Sequence, residues 1–302
     1  MKKSFVFWVE EYFYNPTFFQ KILSFLLLPL SWMYCFATWL RYVNSKEEDF
    51  GARIVGVGNL NVGGSGKTPL VTALASKYDD AAVVLRGYGR KSKGLHVVKN
   101  KDEILLDVDA SGDEAMIYAK KLPNAIVIVS ENRKLGIRKA LEYGVDIVFL
   151  DDAYSKHDIK KLDLLIETQS ENDACLPAGP FRERLYETKK ALVLRDGVDF
   201  ERKVALRDAR EKMSLVTAIA RPQRLDEYLP EVVSKNYFED HHAFTKNELE
   251  TILRRDRSDS LLVTMKDYVK MEAFGLPLSL LDLELRVEER VYESVRRYKH
   301  DE

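Results

Sequence analysis

Apolar residues are concentrated unevenly along this chain. Residues 22–40, ILSFLLLPLSWMYCFATWL, carry no charge and lie between Lys21 and Arg41. As a helix they would reach about 29 Å, close to the thickness of a bilayer core. Trp32, Trp39 and Tyr42 are of the types enriched at a membrane interface, and Pro29 predicts a kink. A secretory leader does not fit, because Glu10 and Glu11 precede the stretch and no A-x-A-like site follows it. Two readings stand: a membrane-associated helix, spanning or lying in the interface, and a buried core helix. In either case a nucleotide site downstream has to face the cytoplasm, where ATP is.

Beyond residue 50 the pattern changes to short runs of valine, isoleucine and leucine alternating with helix-like stretches. RIVGVGNL, AAVVL, NAIVIV, GVDIVFLDD, LDLLIET, KALVLRD, MSLVTAIA and SLLVTMKD read as strands. TPLVTALASKY, EAMIYAKKL, ENRKLGIRKALEYG and RPQRLDEYL read as helices. Such runs suit strands buried on both faces, and the alternation predicts an α/β fold with a largely parallel sheet and helices on both faces. The expected organisation is an N-terminal membrane-associated segment over 1–45, a nucleotide-binding core over 46–154 and a second, smaller α/β lobe over 155–302. No Pro/Gly-rich linker marks the last boundary.

Composition narrows the picture. With 302 residues and 46% hydrophobic content the chain can fill a large core. A net charge of −1 gives no basis for a nucleic-acid partner, and no feature predicts a protein partner. Cys35 and Cys175 are the two cysteines, without a C-x-x-C. That excludes a disulfide framework or thiolate zinc site and fits a reducing compartment.

The chemistry starts at GVGNLNVGGSGKTPLV, residues 56–71. Gly66-Lys67-Thr68 ends it like a phosphate-binding loop, but Asn61 stands where G-x-x-x-x-G-K-[ST] has its first glycine. Strand, glycine-rich loop and helix form the context that motif requires, and Pro69 fits a first helical turn. Asn61, Val62, Gly63, Gly64, Ser65, Gly66, Lys67 and Thr68 are therefore expected to cradle the phosphates of ATP. Backbone N–H groups and the helix N-terminus would face the anion. Lys67 would reach the β- and γ-phosphates, and the Thr68 hydroxyl would ligate Mg²⁺. Asparagine tolerates positive φ, so the bend can persist at Asn61. Asp151-Asp152, at the end of an apolar strand, supplies carboxylates for the same Mg²⁺.

A regulatory GTPase does not fit. No glycine stands where a D-x-x-G switch needs it after Asp152, and the lysine of TMKD (264–267) is one place late for N-K-x-D. A kinase also needs a group to take the acceptor proton. Asp113, in SGDEA, is one candidate, with helix capping as its other reading. FEDHHAF (238–244) uses two of the five histidines. As neighbours in an extended segment they point to opposite faces, so one of them can face a cleft. LPAGPFRER presents Arg182, Glu183 and Arg184, and arginine there suits bidentate phosphate contact.

Taken in order, VGNLNVGGSGKTP, RGYGR, GDEA, FLDD, LPAGPFRE, TAIARP, FEDHHAF and TMKD resemble the motifs of the tetraacyldisaccharide 4'-kinases, over roughly residues 25–270. The resemblance implies transfer of the ATP γ-phosphate to the 4'-hydroxyl of a tetraacylated disaccharide 1-phosphate, at the cytoplasmic face of the bacterial inner membrane. It implies Asp113 paired with a histidine, matched to His241, in catalysis with Lys67. It places Arg86 and Tyr88 of RGYGR, with Arg182, Glu183 and His242, at the substrate. Two departures stand out: Ala115 replaces the family's proline after GDE, and DDAYSKH replaces its D-D-G-F-Q-H run. Two other classes remain open on the residues alone, a membrane-tethered ATPase switch without acceptor chemistry and a kinase for a soluble metabolite.

Overall fold

The computed structural model describes residues 2–219, 222–240 and 242–298. The N-terminal half runs α1 (Lys2–Tyr14), α2 (Phe18–Val43), β1 (Arg53–Gly58), α3 (Lys67–Ala75), β2 (Ala81–Leu85), β3 (His96–Lys99), α4 (Val108–Ser111), α5 (Asp113–Lys121), β4 (Ile126–Val129), α6 (Arg133–Leu141) and β5 (Ile147–Asp151). It continues with β6 (Leu162–Ile166), β7 (Ala191–Leu194), β8 (Phe200–Arg207), β9 (Met213–Thr217), β10 (Ser234–Tyr237), α7 (Lys246–Asp256), β11 (Ser260–Thr264), α8 (Met265–Met271), β12 (Leu278–Val287) and α9 (Glu289–Arg297).

The valine- and isoleucine-rich runs become strands because both of their faces are covered. Along β1, Ile54 points to one side with Val84, Ile137 and Leu150, where α6 packs. Val55 and Val57 point to the other side with Leu70, Tyr118 and Phe149, under α3 and α5. The resulting sheet has the order β3-β4-β2-β5-β1-β6-β7. It is parallel except for β3, which runs against β4.

This sheet continues past residue 155. β6 pairs in parallel with β1, and β7 with β6, so the change of sheet falls between Leu194 and Phe200. A second sheet, β10-β9-β11-β12-β8, is parallel apart from β8 against β12. The two bodies share a core: Leu285 and Val287 of β12, with Val291 and Val295 of α9, join the cluster that contains Leu70 and Phe149.

The uncharged N-terminal stretch is helical throughout α2, with Pro29 accommodated inside it. Its start is fixed by a capping box: Gln20 N donates to Thr17 Oγ1, and Thr17 N donates to Gln20 Oε1 at 2.8 Å. The polarity of α2 is inverted relative to a helix on a soluble protein. Gln20, Ser31 and Thr38 are its buried residues, while Phe25 (71% exposed), Trp32 (67%) and Met33 (69%) look outward. The buried-core reading is therefore corrected, because the inward face of α2 is polar and the apolar surface is left uncovered.

That inward face is bound to the segment 172–188. Ala178 N donates to Ser31 Oγ at 2.8 Å and Ser24 Oγ donates to Ala178 O at 2.7 Å. Tyr34 Oη donates to Arg182 O at 3.2 Å, Arg41 pairs with Glu183, and Tyr42 meets Thr188 at 2.8 Å. Cys35 of α2 and Cys175 are disulfide-bonded, with Cα atoms 6.0 Å apart. The expectation of no disulfide framework, in keeping with a reducing compartment, is thus corrected by this one bond. They are 140 positions apart in sequence, and the packing of α2 on segment 172–188 brings them together.

Candidate active site

The nucleotide loop connects β1 to α3. Gly63 and Gly66 adopt φ of 112° and 92°, the left-handed region that favours glycine, and Gly66 caps α3 without a side chain. Asn61 does not: it is absent from the left-handed residues, so tolerance of positive φ is not why asparagine stands there. Asn61 is buried, forms a bridge with Phe181 and donates its amide to Thr168 O at 3.4 Å. It thus joins the loop to the 174–183 segment, assisted by Val62 N donating to Pro180 O at 2.9 Å. Buried Ser65 Oγ has no hydrogen-bond partner among the described residues. An orphaned hydroxyl inside a glycine-rich loop fits an absent anionic ligand.

Lys67 opens α3 and donates to Asn59 Oδ1 at 2.9 Å, with Asp152 Oδ1 at 3.5 Å. Asn59 is itself held by donating to Asn61 O at 2.7 Å. The two carboxylates at the end of β5 differ. Asp151 is buried, and its Oδ2 accepts from Tyr118 Oη at 2.8 Å while Oδ1 has no partner among the described residues. Burial raises its pKa against the opposing pull of Lys67. Asp152 sits at φ 51° and is clasped by the Arg182 guanidinium, which also donates to Asn59 Oδ1 at 2.9 Å. Burial alone would raise its pKa, but the Arg182 hydrogen bond and Lys67 hold it below the usual carboxylate range. Burial and then Asp151 push the nearby Glu114 carboxyl up to about 7.

No complete set of three or more His, Cys, Asp or Glu ligands is assembled among the described residues. The orphaned Asp151 Oδ1 nevertheless fits Mg²⁺, which commonly takes one or two protein carboxylates and completes its shell from substrate phosphates and water. Thr68 follows Lys67 at the start of α3 and supplies the adjacent hydroxyl.

Asp113 is the first residue of α5, and Gly112 occupies the cap position, so the capping reading of Asp113 is set aside. Its carboxylate is 13% exposed and lies 3.7 Å from Lys270 Nζ on α8.

A family model described as tetraacyldisaccharide-1-P 4'-kinase matches residues 23–212 and 194–298. The tetraacyldisaccharide 4'-kinase of Aliarcobacter butzleri is 46% identical over 96% of each chain. The chain belongs to the tetraacyldisaccharide 4'-kinase family. The Campylobacter jejuni enzyme is 43% identical over 98% of this chain and 97% of its own length, and that of Helicobacter acinonychis 45% over 96% and 94%. The crystal structure of LpxK from Aquifex aeolicus in complex with ATP aligns with a TM-score of 0.75. It covers 91% of this chain and 99% of its own at 24% identity, and it shows the same fold.

Within this family member, the residues singled out in the sequence fall in distinct places. Lys67, Thr68, Asp151, Asp152 and Arg182 cluster around the loop. Arg86 follows β2 and is exposed, as is Tyr88. Glu183 is buried, paired with Arg41 and 3.5 Å from His157 Nε2, so it braces α2. The His242 ring stacks on Phe238, meets Phe244 edge-on and pairs with Glu248 at 3.0 Å. His241 lies outside the described residues. Sequence reasoning missed Glu114 as part of the acidic cluster, Asn59 as the holder of Lys67, and Lys270. Glu114 alone carried a signal, its place beside Asp113.

Proposed function

We propose that this kinase transfers the γ-phosphate of ATP to the 4'-hydroxyl of a tetraacyldisaccharide 1-phosphate, forming lipid IVA for lipid A at the cytoplasmic face of the inner membrane. One observation carries the reading. The segment that clasps Asp152 through Arg182 is the same segment that is bound to the polar face of α2, so a phosphoryl-transfer centre is coupled to a helix whose outer face is apolar. An uncovered apolar surface of this extent marks a membrane or partner surface. A substrate with four acyl chains stays in the bilayer at about 0.8 kcal/mol per buried CH₂, so the enzyme has to come to it.

In this reading the loop N–H groups and Lys67 hold the phosphates, and Arg182 and Lys67 balance charge as it moves toward the leaving oxygen. Asp151 and Thr68 would hold Mg²⁺, which would supply further charge neutralisation on the phosphates. Asp113 accepts the proton of the 4'-hydroxyl, with His241 as its partner. Arg86 and Tyr88 contact the lipid headgroup.

The test is incubation with γ-labelled ATP and the disaccharide 1-phosphate lipid, followed by thin-layer separation. Labelled lipid is expected, lost on chelation with EDTA and restored by Mg²⁺. ATP hydrolysis without labelled lipid would instead establish a tethered ATPase, and label on a soluble sugar would establish a metabolite kinase.

The outer face of α2 gives a second expectation. Phe25→Glu combined with Met33→Glu should abolish flotation with anionic vesicles and lower activity on vesicle-embedded lipid by about tenfold or more. ATP affinity and melting temperature should stay unchanged, since both side chains are largely exposed on the outer face of α2. A double variant that still floats with vesicles would remove α2 from membrane attachment.

A further inference from the structure

We propose that Lys270 is a positioning residue for the transfer: its ammonium holds the Asp113 carboxylate ionised and ties it to the loop that carries the two histidines. This rests on Asp113 being the proton acceptor.

Four groups from three segments converge on this one ammonium. Asp113 Oδ2 of α5 lies at 3.7 Å and Asp267 Oδ1, one turn earlier on α8, at 3.5 Å. Lys270 Nζ donates to His242 O at 3.3 Å, and it sits 5.2 Å from the centre of the Phe244 ring. The Lys270 side chain is only 9% exposed, so these charges interact with little screening by solvent.

Asp267 is a fixed anchor. It is fully buried and accepts from Thr217 Oγ1 at 2.7 Å, Thr264 Oγ1 at 2.8 Å and Ala218 N at 3.1 Å. An ammonium held from behind by so constrained a carboxylate cannot follow Asp113 if Asp113 moves. It therefore gives the Asp113 carboxylate a fixed cationic neighbour at 3.7 Å. Through the His242 carbonyl it also fixes the loop backbone next to His241, so acceptor and loop share one reference point although they come from different bodies of the fold.

The electrostatic consequence has a definite sign. A cation beside a carboxylate favours the ionised form, which is the form able to take a proton. Among the described residues, other charged groups around this corner include Glu114 on α5 with Asp151 and Asp152 near it, Lys67 of the nucleotide loop, Lys266 and Asp267 on α8, and Asp240, which pairs with Lys266 at 2.9 Å. Lys270 touches both Asp113 and the His242 backbone.

The experiment compares Lys270→Met, which keeps the aliphatic stem against Phe244 and loses the charge, with Lys270→Arg, which keeps the charge. In the full-length enzyme with lipid in mixed micelles, the methionine variant should lose about 10- to 100-fold in kcat at neutral pH. The acid limb of its kcat/KM profile should move up by about one pH unit or more, with KM for ATP within about twofold of wild type. The arginine variant should restore the acid limb. Should the methionine variant fail to fold, Lys270→Gln, which keeps a donor for the His242 carbonyl, carries the same expectation. A folded, charge-free variant with a lowered melting temperature but wild-type kcat and acid limb would make the contact purely structural and overturn the proposal. Asp113→Asn is run in parallel. Inactive Asp113→Asn with an unmoved acid limb in the lysine variants sinks the lysine inference alone, whereas active Asp113→Asn sinks the proton-acceptor reading beneath it.

Discussion

Lys67→Ala is expected to cut turnover at saturating ATP and lipid by about 10³-fold, roughly 4 kcal/mol of transition-state stabilisation. Lys67 is the cation at the start of α3, and its ammonium is already oriented by Asn59 Oδ1 at 2.9 Å, itself immobilised through Asn61. Such preorganisation lets the lysine turn to the phosphates without a large rearrangement. Arg182 has its own place beside Asp152 and Asn59 on the 174–183 segment and does not open α3, so it does not fill the Lys67 position. The fold should survive, since the Lys67 contacts lie at the loop rather than in the core, and a melting curve on the same sample checks this. A folded variant that keeps a tenth of wild-type turnover would remove Lys67 from the phosphate site.

The nucleotide loop and the first sheet were legible because their signals are local. Strand, glycine turn and helix follow one another within about twenty residues, and strands buried on both faces announce themselves as unbroken apolar runs. What the sequence hid depends on contacts between distant segments. The strands LDLLIET and KALVLRD read correctly as strands, but nothing in them says that they extend the first sheet beside β1. The apolar composition of α2 predicted a helix, while its orientation hangs on Gln20, Ser31 and Thr38 recurring on one face, a weak pattern among so many leucines and phenylalanines. The Cys35–Cys175 bond and the burial of Glu183 follow from that orientation, and neither has a local signal in the sequence. At Asn61 the residue was noticed and the cause was not: its role is a bridge to Phe181, invisible to any argument from backbone propensity. Lys270 lay beside TMKD without a motif of its own, because its meaning comes from Asp113, more than 150 positions away.

Asp113→Ala should lower kcat by about 10²–10⁴-fold, roughly 3–5 kcal/mol, if its carboxylate takes the 4'-hydroxyl proton. ATP binding should change little, since Lys67 and the loop hold the nucleotide. The competing explanation, a helix cap, predicts a loss of about 1 kcal/mol of stability with kcat nearly intact. The structure already weakens that alternative by placing Gly112 at the cap and Asp113 one residue inside α5. Removing Asp113 also leaves Lys270, almost buried, with Asp267 as its close carboxylate among the described residues, so a small fall in melting temperature is compatible with either role and does not discriminate. The discriminating readout is kcat. His241→Ala should cost substantial activity as well, and the double variant should be little worse than the poorer single one, as for residues that act as a unit. His242→Ala should be milder in kcat, because its ring is occupied by Phe238, Phe244 and Glu248, and its main effect should be on the stability of the 238–244 loop. If Asp113→Ala turns over at the wild-type rate while His241→Ala does not, proton transfer belongs to the histidine and Asp113 to the electrostatics around it.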